Sequence, residues 1–188
     1  MTCIVGLEEN GTVFIGADSA SIAPETLEIC RRADEKVFLT DDGNFILGFA
    51  GSFRIGQLLR YALVPPPQKV DQDDMAYLVT DFIDAVRTMQ KDKGSLKKEN
   101  EVEEHEAMFL LGFNGKLYVV EGDFQVGRPV DNFMSVGSGA NIALGAMHAT
   151  KDLGIPAEKR IILALEAATE FSAGVRAPFH VLKLECSY

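Results

Sequence analysis

The sequence predicts an α+β fold of four layers: two mainly antiparallel sheets stacked between two layers of helices, αββα. Three observations predict it. Apolar runs at residues 3–7 and 13–17 flank Asn10-Gly11, and runs at 107–113 and 116–121 flank Asn114-Gly115. Both residues of an Asn-Gly pair tolerate positive φ, so each arrangement reads as a tight antiparallel hairpin. Residues 45–50 are almost continuously apolar, which suits a strand covered on both faces, whereas a half-solvated strand would alternate. Helical patterns arrive in pairs, two after the first group of strands and two after the second, and a pair on each outer face buries both sheets.

In chain order, the first hairpin begins at once and ends at Asp18. Residues 19–26 contain Ser, Ala and Pro and read as a loop; residues 27–30 and 36–39 read as short strands. A turn at 40–44 precedes the strand at 45–50. Ser52 is placed to cap a helix whose apolar face is Ile55, Leu58, Leu59, Ala62 and Leu63, at helical spacing; Pro65-Pro66-Pro67 stops it. Acids at 71–74 suit the N-terminal end of a second helix, with Met75, Leu78, Val79, Phe82, Val86 and Met89 as its buried stripe. The mixed charge run 91–106 reads as a solvated surface loop. After the second hairpin, a strand at 133–136 leads into Gly137-Ser138-Gly139 and a small-residue helix at 140–150. Pro156 fits a helix start; Ile162, Leu165, Ala168 and Phe171 or Ser172 face that helix inward. Residues 178–185 close the chain as a strand. Neither an internal repeat nor a second domain is visible, so residues 1–188 are expected to form a single domain.

Composition excludes several classes. The formal net charge of −10 argues against nucleic acid or an anionic membrane as partner. Cys3, Cys30 and Cys186 are odd in number and lack framework spacing, which points to reduced thiols in a cytoplasmic setting. His105, His148 and His180 are scattered without metal-ligand spacing. The N-terminus lacks a basic segment followed by a long apolar one, so secretion is not expected, and no apolar run approaches the ~20 residues of a membrane span.

Thr2 carries the chemical signal. Removal of Met1 would leave a hydroxyl nucleophile and a free α-amine on one residue at the head of the first strand. An unperturbed α-amine has a pKa of about 7.7–8.0, so a fair fraction is neutral near pH 7.5. A neighbouring cation would raise that fraction. Cys3 has no N-terminal amine and reads as core. Gly137-Ser138-Gly139 opens a helix after a strand, but the dinucleotide pattern G-x-G-x-x-G fails at Ile142.

Thr2-Cys3-Ile4-Val5-Gly6 and Gly16-Ala17-Asp18-Ser19 resemble the start of proteasome β-type subunits. They equally resemble the proteasome-type peptidase of the bacterial two-component ATP-dependent protease. Lys36-Val37-Phe38, Gly48-Phe49-Ala50-Gly51 and Gly137-Ser138-Gly139 follow in the same order. The likeness runs from Thr2 to about Ser172 and is weakest between residues 64 and 106; more narrowly it is to proteasome-like proteins of bacteria and phages. It implies an N-terminal-nucleophile (Ntn) hydrolase fold and a threonine peptidase acting on peptides or unfolded proteins. It also implies a cytoplasmic homo-oligomeric ring, an ATP-dependent unfoldase as a candidate partner, and no metal or organic cofactor.

The same resemblance implies the site. Thr2 is the nucleophile, Lys36 the cation near its amine, Asp18 the carboxylate anchoring Lys36, and Gly51 the source of an oxyanion-hole N–H. Ser138 and Ser172 support the nucleophile, and Phe49, Phe53 and Ser21 contact substrate. Two departures stand out. The count from Thr2 to Lys36 is two residues longer than usual, which leaves Arg31 and Arg32 as alternatives, and Thr169 stands where proteasome β-type subunits carry an Asp. Two rival functions remain on the same fold: a catalytically silent ring or scaffold subunit, and a small-molecule amidase.

Overall fold

The computed structural model describes residues 1–23, 26, 28–99 and 102–186. Strands β1 (Ile4–Glu9) and β2 (Thr12–Ala17) form the first hairpin. Asn10 and Gly11 at its tip have φ of 51° and 75°, the two positive values that a two-residue turn matched to strand twist requires. The next strands are β3 (Ala20–Ile22), β4 (Ile29–Arg31), β5 (Val37–Leu39) and β6 (Phe45–Gly51). Helix α1 (Phe53–Tyr61) starts at Ser52, whose hydroxyl accepts from the Ile55 N–H at 3.5 Å. Helices α2 (Asp74–Tyr77) and α3 (Ile83–Asp92) are joined by a π-helical turn, Leu78–Phe82. A small hairpin, β7 (Lys97–Glu99) and β8 (Val102–Glu104), precedes the second long one, β9 (Ala107–Phe113) and β10 (Lys116–Val120). Its tip, Asn114-Gly115, repeats the positive φ values at 46° and 71°. Then come β11 (Val126–Gly127), β12 (Phe133–Val136), α4 (Ala140–Ala149), α5 (Ala157–Phe171) and β13 (His180–Glu185).

The strands make two main antiparallel sheets, ordered β12-β1-β2-β13 and β11-β10-β9-β6-β5. Alternation along each strand divides the core into three layers. On β1, Ile4 faces the other sheet with Ile15, Ile46 and Leu110, while Val5 and Leu7 face α4 and α5 with Ile161 and Leu165. On β6, Ile46 and Ala50 point between the sheets, while Phe45, Leu47 and Phe49 point under α1–α3. This is the αββα arrangement expected from the sequence. Gly48 lets the sheets approach: a Cβ there would lie 2.7 Å from Ile4 and from Ile15. No helix among the described residues is long and apolar enough to cross a membrane.

Several local expectations need correction. Residues 20–22, read as loop, pair with β4, because a short ribbon satisfies backbone groups beside the buried end of β2. Leu27, placed in the following strand, lies outside the described residues. The charge run 91–106 is not simply a loop: its first residues finish α3, and β7 and β8 pair within it, although Asn100 and Glu101 lie outside the described residues. Val79 is 45% exposed. The π-turn widens the helix by one residue, so Tyr77, Leu78, Phe82 and Ile83 take the core face instead. On α5 the buried row is Ala157, Ile161, Ala164, Leu165 and Ala168; Ile162 sits at its margin and Phe171 is exposed. The α1 helix ends at Tyr61, before the prolines are reached.

Candidate active site

The antiparallel registers bring distant sequence motifs to one end of the sandwich. Pairing Ile4 with Ala17 sets Cys3 opposite Asp18, and pairing Ile4 with Val136 continues to Gly137 opposite Cys3 and Ser138 opposite Thr2. Lys36 enters from the other sheet at the start of β5, where its carbonyl accepts the Phe49 N–H at 3.0 Å.

Asp18 is the hub. Its Oδ1 accepts from the Cys3 N–H at 3.0 Å and from the Lys36 Nζ at 2.7 Å. Its Oδ2 accepts from the N–H groups of Ala20 at 2.9 Å and Arg176 at 3.2 Å. A buried carboxylate with that many donors is held in one orientation. Lys36 is equally buried, and burial pushes its pKa below the ordinary lysine value against the opposing pull of Asp18. The Lys36 ammonium and the main chain leading into Thr2 therefore share one carboxylate oxygen.

Thr2 is held from the far side by the 137–139 turn. Its N–H donates to Ser138 Oγ at 3.2 Å, and its carbonyl accepts from the Gly139 N–H at 3.2 Å. Gly137 needs its glycine: φ is 99°, and a Cβ would fall 2.3 Å from the Thr2 carbonyl oxygen. With Met1 attached, the Thr2 hydroxyl donates to the Met1 carbonyl at 2.7 Å. The amide nitrogen of Thr2 is then no base, because its lone pair is delocalised into that carbonyl.

Thr2 and Gly51 border a mainly apolar cleft of about 530 Å³ whose walls include Ala50, His105, Met108 and Ser138. Gly51 ends β6 at φ 100°, and the following N–H, that of Ser52, donates to the Glu106 carbonyl at 2.8 Å. Thr2, Gly51 and Ser138 thus meet at the cleft, and Asp18 and Lys36 are tied to it through the Cys3 N–H. Ser172 caps the end of α5, with its carbonyl engaged by Arg176 at 3.0 Å. Phe49 is core, its ring edge-on to Phe53 at 5.6 Å. Phe53 lies under the Arg32 guanidinium at 4.3 Å and 5.9 Å from Lys36 Nζ. None of Phe49, Phe53 and Ser21, which lies on β3 opposite Cys30, lines the cleft at Thr2.

The alternatives to Lys36 are also located. Arg32 pairs with Asp34 at 2.6 Å, and Arg31 is an exposed residue of β4. Cys3 is fully buried, its thiol pushed up to about 12 chiefly by burial, so it is a packing residue.

Two residues of the site escaped the sequence reading. Arg176 donates its backbone N–H to Asp18 from a segment that carries no motif. His105 is buried against Phe124 at 4.5 Å between ring centroids, yet in sequence it is hidden among Glu103, Glu104 and Glu106.

A threonine directly after Met1 at the head of an inner strand of an αββα sandwich, with a sealed lysine–aspartate pair behind it, is an arrangement of the Ntn-hydrolase fold. No family model matches the chain. It is 28% identical over 162 residues to the ATP-dependent protease subunit HslV of Desulfovibrio desulfuricans, covering 84% of this chain and 82% of that protein. It is 26% identical over 150 residues to the HslV subunit of Pediococcus pentosaceus, covering 80% and 75%. Among solved structures, Thiobacillus denitrificans BPH in complex with epoxomicin superposes over the full length of both chains with a TM-score of 0.78 at 21% identity. The chain is thus similar over most of its length to proteasome-type protease subunits and shares the Ntn-hydrolase fold.

Proposed function

We propose that the protein is a threonine peptidase that becomes active when Met1 is removed. The observation that carries this reading is the shared Asp18 oxygen, which ties the Lys36 ammonium to the strand entry that presents Thr2. Once Met1 is gone, the Thr2 α-amine takes the proton of its own hydroxyl, directly or through a water, and Oγ1 attacks the substrate carbonyl carbon. The Lys36 charge favours the neutral amine. The oxyanion that forms is met by the Gly51 N–H. Collapse breaks the C–N bond, and the proton held by the α-amine passes to the leaving amine. Water, deprotonated by the same amine, then cleaves the acyl ester and regenerates Thr2.

Ser138 steadies the amine from its present place on the Thr2 nitrogen, and Ser172 supports it from the end of α5. Phe49, Phe53 and Ser21 stand outside the cleft at Thr2, so the substrate side chain is met by the cleft walls at Ala50, His105 and Met108. The curated relatives are subunits of ATP-dependent proteases. That likeness supports an unfolded-protein substrate, a homo-oligomeric ring, an ATP-dependent unfoldase partner and a cytoplasmic location. The chemistry itself calls on no metal or organic cofactor.

Intact mass and hydrolysis of a fluorogenic peptide test the reading on two preparations, one with the native N-terminus and one with an uncleavable N-terminal extension. Loss of Met1 with hydrolysis only in the processed preparation is expected. Equal hydrolysis by both overturns it, and retained Met1 without hydrolysis indicates a catalytically silent subunit.

A further inference from the structure

The turn after α5 is built around one guanidinium. Arg176 Nη1 points back at the helix end and donates to the carbonyls of Val175 at 2.6 Å, Ser172 at 3.0 Å and Thr169 at 3.4 Å. The Thr169 and Ser172 carbonyls lie at the negative end of the α5 dipole, where a cation is stabilised. The main chain of the same residue faces the site. The Arg176 N–H donates to Asp18 Oδ2, and its carbonyl accepts from the Ser19 N–H at 3.0 Å. Between the two ends of the turn, Val175 is fully buried and Gly174 lies against Met1, where a Cβ would be 2.1 Å from the Met1 Cβ. One residue therefore clamps the helix end with its side chain and the site carboxylate with its backbone.

We propose that Arg176 is a positioning residue for the threonine nucleophile: its guanidinium, seated on the carbonyls of Thr169, Ser172 and Val175, locks the turn whose N–H fixes the Asp18 carboxylate. This deepens the peptidase reading and rests on it. Asp18 Oδ1 orients both Lys36 and the Cys3 N–H, so slack on the Oδ2 side is felt at the amine of Thr2. The position also bears on the departure at Thr169. Where the family carries an acidic side chain, this chain keeps a Thr169 backbone carbonyl and meets it with a positive charge from seven residues downstream.

A helix cap without this role would affect stability alone, so the test reads ionisation and rescue. In the full chain with Met1 removed, Arg176→Met keeps the aliphatic stem and loses every donor. It is expected to lower kcat by about 10- to 100-fold, the usual scale of a small misplacement, with KM unchanged. The acid limb of the pH profile moves to higher pH, as the amine loses part of the Lys36 influence. Free guanidinium at millimolar concentration restores part of the rate, and Arg176→Lys lies between parent and Arg176→Met. The pH dependence of Thr2 α-amine carbamoylation by cyanate, read by mass spectrometry, reports the same shift without any hydrolysis. If the parent protein cleaves no peptide, the peptidase reading fails by itself while the amine titration still decides the role of Arg176. Parent-like rate and titration in Arg176→Met overturn the proposal, as does a loss of kcat with neither a shifted limb nor guanidinium rescue. Should Arg176→Met not fold, an amine titration unshifted in Arg176→Lys overturns it.

Discussion

Lys36 Nζ donates to Asp18 Oδ1 at 2.7 Å, and both side chains are sealed from solvent. A pair in that setting gains little net stability from its own attraction, since desolvation offsets it, but the loss of one member strands the other. The pair therefore matters for where it puts charge: on the carboxylate oxygen that also holds the Cys3 N–H, one residue after Thr2.

Lys36→Ala is expected to lower unfolding free energy by about 3–5 kcal/mol, the scale for an orphaned buried charge, where an exposed lysine would cost under about 1 kcal/mol. Peptidase activity should fall by orders of magnitude. Lys36→Arg should recover little, because the planar guanidinium does not fit a site built for a compact ammonium. Urea denaturation and peptide hydrolysis measure the two effects. Full activity in Lys36→Ala would return attention to Arg31 or Arg32.

The rate should depend on pH through two groups of the same site. It rises as the Thr2 α-amine becomes neutral, below its unperturbed value of about 7.7–8.0 because Lys36 is near. It falls again as Lys36 loses its proton, at a pH below the ordinary lysine value because burial lowers its pKa. The sign for stability follows. Between the folded and unfolded values of Lys36 the unfolded chain binds more protons, so stability rises with pH across that window. A profile of kcat/KM that stayed flat on the alkaline side up to the ordinary lysine range would contradict the assignment.

His105 should make the fold acid-sensitive. Burial lowers its pKa, while the Glu121 carbonyl, 3.0 Å from Nε2, and Asp123 act in the opposite sense. The folded form thus takes up a proton less readily than the unfolded chain. Its contribution is intact above the unfolded value of about 6.5 and is lost as pH falls below it. Gln90, also buried, offers its amide nitrogen to His105 Nδ1 at 3.5 Å, and its Oε1 has no partner. His105→Phe should flatten the fall in Tm between pH 7 and 5, at a cost of about 1–3 kcal/mol at neutral pH from the stranded Gln90. An unchanged slope would show that other groups dominate acid unfolding.

Gly137→Ala is expected to disable the site more than the fold. The strained φ alone costs about 1–3 kcal/mol, and the methyl would press on the Thr2 carbonyl from 2.3 Å. Activity should drop by at least about 100-fold with far-UV circular dichroism unchanged, since displacement of the nucleophile is what the methyl enforces. Retained activity would mean that the 137–139 turn does not set the position of Thr2.

The sequence by itself determined the hairpins and the layers. Asn10-Gly11 and Asn114-Gly115 fix their turns through local backbone energetics, and the apolar run 45–50, short and bounded by turns, suits a covered strand. Thr2 was legible as a potential nucleophile from its place after Met1, whereas Asp18, Lys36, Gly51 and Ser138 were singled out by the resemblance of their motifs to proteasome β-type subunits. What tertiary structure decided was what registers and distant contacts control. The π-turn at Leu78–Phe82 moved Val79 outward against its spacing. His105 was buried out of a run of glutamates, because β8 and β9 carry it under Phe124. Arg176 reached Asp18 across 158 residues of chain. Local propensity cannot encode such a contact: its free energy arises only when the end of α5 and the end of β2 have already been packed side by side.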